Sequence, residues 1–147
     1  MNIKIQTKII SLIYLEFGIC LLLFPNSFLT FFGCPLTIQG EMVARTFSAA
    51  LLGNAFTHFF LKKISNNESV LQYVFIGDML FNSLSGIVMT HATLTGTLNS
   101  WGWLPVGINI LVVVISASIF NHLRNIISQY NGLISSHSSG SGKVRKM

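Results

Sequence analysis

Four apolar stretches, each roughly 20 residues or longer, leave this chain few ways to fold. They run from about 9 to 32, 42 to 61, 70 to 94 and 102 to 123. At ~1.5 Å of rise per residue, each is long enough to cross ~30 Å of hydrocarbon as a helix. Only 9% of the residues are charged, against about 25% in soluble proteins. A water-facing surface could not be covered with so few charges, whereas lipid solvates an apolar one. The expected fold is therefore all-α, an integral membrane four-helix bundle with short loops.

The basic residues set its orientation. Lys4 and Lys8 precede the first stretch, Lys62 and Lys63 separate the second from the third, and Arg124, Lys143, Arg145 and Lys146 follow the fourth. The other two loops carry none, and only Arg45 lies near that face. Positive charge is retained on the cytoplasmic side, so both termini are expected there, in a plasma or inner membrane. The same segregation accounts for the net charge of +5 without a nucleic-acid partner, since no basic and aromatic stripe is present. A cleaved signal peptide is the weaker reading of the first stretch: Glu16 interrupts it and no small-x-small site follows. Pro25 should end or kink that helix, with Asn26 and Ser27 restarting it. Residues 128–147, rich in Ser and Gly and ending in basic residues, read as a flexible tail. Cys20 and Cys34 have no CxxC partner. A helix between them would hold them ~20 Å apart, beyond disulfide reach.

Several motifs carry a resemblance. The first stretch ends in LLLFP, a short apolar piece ends in FFG, the second opens with ARTFSAALLG, and the fourth is approached through LTGTLNSWGWLPV. Together they resemble small, DoxX-like four-span membrane proteins, over about residues 12–123. The resemblance implies a four-helix membrane bundle without a common chemistry, and carries over no catalytic residue.

Buried polar groups are then the functional leads, because an ionisable side chain inside a span is costly unless paired or wetted. Glu16 lies eight residues past Lys8, Asn54 eight before Lys62, Asp78 eight past Val70, and Ser116 eight before Arg124. Equal offsets from the inner ends of the spans put all four at a depth of roughly 12 Å. Thr46, Ala50, Asn54 and His58 suggest an inward stripe on the second span, as do Asp78, Asn82, Ser85 and Met89 on the third. Asn109 and Ser116 share a face of the fourth. Interhelical hydrogen bonding is the plain account of these groups. The sharper one is a proton or ion site in which Glu16 and Asp78 share a proton as a coupled pair. His58, a turn nearer the cytoplasm, would relay protons to them. Glu41 and Arg45 have the spacing of an interfacial ion pair, and Ala49, Gly53 and Thr57 form a small-residue edge suited to close helix approach.

No catalytic motif, phosphate loop or clustered metal-ligand spacing stands in the chain, and no cofactor is expected. The expected role is that of a non-enzymatic membrane protein, either a partner subunit or a minor proton- or ion-coupled transporter. It would contact the lipid bilayer and a second copy or another membrane protein. The alternative is a membrane enzyme or redox carrier with a ligand held in the bundle. The orientation is open to direct measurement. Cys34 should react with a membrane-impermeant thiol reagent from outside intact cells, and a cysteine placed by Ser138→Cys only after permeabilisation; the reverse pattern would invert the topology.

Overall fold

The computed structural model describes residues 3–64 and 67–141, and among them the regular structure is entirely helical. The elements are α1 (Ile3–Leu23), α2 (Pro25–Phe31), α3 (Ile38–Ile64), α4 (Glu68–Leu94), a 3-10 turn (Ser100–Gly102) and α5 (Trp103–Ser141). Three segments, Ile5–Leu23, Glu68–Leu94 and Ser100–Gly132, are long and apolar enough to cross a membrane. α3 matches α4 in length at 27 residues but carries Glu41 and Arg45 near its start and Lys62 and Lys63 near its end.

Local chemistry explains the ends. Pro25 occupies the first turn of α2, where its missing N–H costs nothing, and Phe24 before it leaves the helical region at φ −134°. The Phe28 ring then meets Phe17 edge-on, with centroids 5.7 Å apart. Along one straight helix those residues would be separated by ~16 Å of rise, so α2 folds back over the end of α1. Asn67 caps α4 by accepting the Ser69 amide. Asn99 ties the loops at the α2 end together: its Nδ2 donates to the Phe31 carbonyl, and its backbone N–H to that of Phe32, both at 2.8 Å. Gly33, at φ +86°, sits where a Cβ would come within 3.0 Å of the Asn99 nitrogen, so the two loops meet through a residue that has none.

The long helices pack as two antiparallel pairs, α1 with α3 and α4 with α5. Small residues set the first pair close. Ser11 Oγ donates to the Ala55 carbonyl at 2.8 Å. A Cβ on Gly18 would lie 2.8 Å from the Leu52 side chain and 3.3 Å from its backbone nitrogen. Between the pairs, Ile10, Phe75, Val112 and Ile119 are fully buried. The interior positions advance by alternating steps of four and three: Thr7, Ser11, Tyr14, Gly18 and Leu21 on α1, and Ala44, Ser48, Leu51, Ala55 and His58 on α3. α4 follows with Leu71, Phe75, Asp78 and Asn82, and α5 with Val112, Ser116, Ile119 and Leu123. This average period of 3.5 keeps one seam facing its neighbours.

Two expectations are corrected. Of the stripe proposed for the second span, Thr46 and Ala50 are exposed, Asn54 is half-buried and only His58 is buried. Four-residue steps rotate by ~40° each around a helix, so three of them carry a stripe from an outer face to an inner one. The segment read as a flexible tail is helical as far as Ser141, its backbone ladder continuing the span before it; residues 142–147 lie outside the described residues.

The small-residue seam generates a paired prediction. Gly18→Val should lower stability by ~1–3 kcal/mol in detergent unfolding, because a branched side chain must displace the Leu52 backbone. Gly53 is exposed and nothing stands within 4 Å of a Cβ there, so Gly53→Val should leave the monomer fold within ~0.5 kcal/mol. Equal losses at both sites would show that α1 and α3 are not packed this way.

Candidate functional site

Asp78 and Asn82 stand one turn apart on α4, so their side chains leave the same face. Asn82 Nδ2 donates both to the Asp78 backbone carbonyl at 2.8 Å and to Tyr14 Oη at 2.7 Å. Tyr14, from α1, passes its own proton forward: Oη donates to Asp78 Oδ1 at 3.1 Å. From α3, His58 Nε2 stands 2.9 Å from Asp78 Oδ2. That contact has the length of a charge pair without the alignment of a hydrogen bond, and Oδ2 takes no hydrogen bond from another group. The His58 and Asp78 side chains are 1% and 7% exposed, so water cannot substitute for these partners.

Aromatic rings enclose the group. His58 lies 5.7 Å from the Tyr14 ring and 5.8 Å from Phe75, centroid to centroid, and Phe81 meets Tyr14 edge-on at 6.5 Å. Three helices and both helix pairs thus converge on one carboxyl, with donors aligned toward it through Asn82 and Tyr14. In a low-dielectric setting such a chain strengthens itself, and a missing member costs more than its own bond. The arrangement can hold a proton on the imidazole beside the carboxylate and register its loss at the contact between α3 and α4. His58 Nδ1 and Ser116 Oγ are buried without a hydrogen-bond partner, unused polar capacity within the core.

Of the six polar residues singled out from the sequence, His58, Asp78 and Asn82 come together. Ser116 is fully buried on α5 and Asn54 is half-buried; neither contacts the carboxyl through a hydrogen bond. Glu16 is a correction: it is exposed. Tyr14 faces inward, and a residue two positions on lies ~200° around the helix, so Glu16 is turned away from Asp78 and the two acids do not form a shared-proton pair. His58 in turn is a direct partner of Asp78 rather than a relay one turn below it. Tyr14 was missed because a phenol among apolar residues resembles ordinary core. Its place in the series Thr7, Ser11, Tyr14, Gly18 was the signal that could have found it.

At the far end of α3, Arg45 Nη2 stands 3.9 Å from Glu41 Oε2, both partly exposed. Cys20 and Cys34 are free thiols. Among the described residues no three His, Cys, Asp or Glu side chains are grouped to hold a metal ion. No family model, curated protein or solved structure matches the chain.

The character of the central contact can be measured by a double-mutant cycle on His58→Leu and Asp78→Asn. Hydrogen bonds between helices in a membrane couple by ~0.6 kcal/mol on average and at most ~1.7. A charge pair desolvated to this degree should exceed that range, up to ~3 kcal/mol. A coupling inside the neutral range would identify the contact as packing between uncharged groups.

Proposed function

We propose that the chain is a four-span membrane protein with both termini in the cytoplasm, whose buried His58–Asp78 pair holds a single exchangeable proton. It acts as a small non-enzymatic subunit or proton-coupled transporter, not as a catalyst. The spans are α1 with its α2 extension, α3, α4 and the first part of α5. α3 joins the three more apolar helices because it packs against α1, and a bilayer that takes up one must take up the other. Between Arg45 and Lys62 it offers ~25 Å of helix with no Asp, Glu, Lys or Arg, and its two lysines fall on the same side as the other basic residues. The DoxX-like motifs of the loops point the same way.

The observation that carries the proton reading is the 2.9 Å approach of His58 Nε2 to Asp78 Oδ2 in an interior closed to water. The titratable groups that meet there are Tyr14 of α1, His58 of α3 and Asp78 of α4. With a proton on the imidazole, the pair is neutral overall and links α3 to α4. When that proton leaves, the carboxylate keeps Tyr14 but loses its cationic neighbour, and a buried unpaired charge is strongly unfavourable. The two helix pairs can then rock apart until the carboxylate is wetted, a movement of the kind that alternating-access proteins use.

Infrared difference spectroscopy on the reconstituted protein tests this. Stepping the pH should produce an imidazolium–imidazole signal that His58→Gln removes, accompanied by a shift of the carboxylate bands that Asp78→Asn removes. If the Asp78→Asn spectra coincide with the unmodified protein's across the range, no proton is exchanged there and the cluster is a packing device.

A further inference from the structure

On the α2 side of the carboxyl, the two helix pairs part to leave a cavity of about 120 Å³. Its walls are apolar and largely aromatic, with Phe17, Phe28, Phe32, Phe47 and Phe81 among them; Tyr14 and Asn82 line it, and so do Ser85 and Asn109. We propose that this cavity binds a small, uncharged apolar molecule carrying one hydrogen-bond donor, a monocyclic phenol or alcohol. The size fits: an apolar cavity of ~150 Å³ accommodates benzene.

The polarity of the ligand follows from which hydrogen-bonding atoms are already committed. A backbone carbonyl only accepts, so the bond from Asn82 to the Asp78 carbonyl fixes its amide nitrogen on that side. Oδ1 is the remaining acceptor. Asn109 repeats the pattern, its Nδ2 donating to the Pro105 carbonyl at 2.9 Å and leaving its Oδ1. The Tyr14 proton is engaged by Asp78. Two side-chain carbonyl oxygens and several ring faces therefore line the space, and Ser85 supplies the one hydroxyl not already engaged. A ligand with only acceptors, such as a ketone, could use only the Ser85 hydroxyl and would leave both carbonyl oxygens unmatched. A cation finds no free charge, because Asp78 does not line the cavity and is paired with His58. An O–H on an apolar ring satisfies both requirements.

The way in fits an apolar molecule too. Asn82 and Asn109 also border a groove of about 550 Å³ along α4 and α5, lined by exposed Ile87, Leu94, Ile110 and Val114. A molecule dissolved in the bilayer would meet this apolar face first, with the two asparagines bordering both the groove and the cavity.

The test uses the full chain in lipid nanodiscs, titrated calorimetrically with phenol and with its methyl ether, empty nanodiscs serving as the blank. The phenol should bind saturably and about tenfold more tightly than the ether, the worth of one hydrogen bond to a buried acceptor. Met89→Trp, which fills the cavity, should abolish binding of both while circular dichroism stays unchanged. Equal affinities, or no saturable phenol binding, would overturn the proposal on the unmodified protein, even if the tryptophan variant does not fold. Binding retained in a folded Met89→Trp would overturn it as well, by assigning the molecule to the outer groove. None of these readings depends on the proton of Asp78, so this proposal and the previous one can fail separately.

Discussion

Everything in this bundle is arranged around one carboxyl group in an interior that cannot hydrate it. Leaving a carboxylate unpaired in such a place is among the least tolerable arrangements a protein can adopt. Asp78 meets the demand by drawing one partner from each of two other helices, Tyr14 and His58, while Asn82 steadies the phenol from the same helix. Because the two carboxyl oxygens point in fixed directions, these contacts set the rotation of α1 and α3 about their axes. Apolar packing among Leu, Ile and Phe would tolerate several rotations of similar energy; the polar contacts select one.

Division of labour between the two interfaces follows. Within each antiparallel pair, close approach depends on small residues and on hydrogen bonds to the backbone, as at Gly18 and at Ser11 with Ala55. Between the pairs, contact runs through longer side chains: the apolar core of Phe75, Ile10 and Ile119, the carboxyl cluster, and the Gln6 amide reaching Ser118 Oγ at 3.4 Å. An interface held by longer side chains leaves more space and moves more readily than one held by backbone contact. It is there that both the cavity and the His58–Asp78 pair occur.

The two features are neighbours but not the same site. Tyr14 and Asn82 belong to both, presenting one side to the carboxyl and the other to the cavity. A ligand that draws on Asn82 would also bear on the hydrogen bond to Tyr14, and through it on Asp78. That shared boundary is the physical route by which occupancy of the cavity and protonation of the pair would be linked.

Read alone, the residues determined the helical class and where the long helices lie, though not how far α5 continues, and they singled out His58, Asp78 and Asn82, which the structure brings together. Each of these rests on composition, on charge at helix ends, or on the cost of a polar group in an apolar run, all properties of a segment taken by itself. Which side of a helix faces inward is another kind of property. Glu16 and Tyr14 are two residues apart, and only the neighbouring helices decided that the phenol turns in and the acid out. The stripe from Thr46 to His58 misled for the same reason: four-residue steps drift around the helix, while the seam that packs advances by 3.5. Meeting partners lay further still from the sequence, since the approach of His58 to Asp78 depends on how deeply two helices from different pairs sit against one another. Depth counted from flanking lysines is good to about a turn, ~5.4 Å, and a contact between side chains is decided within a fraction of that distance.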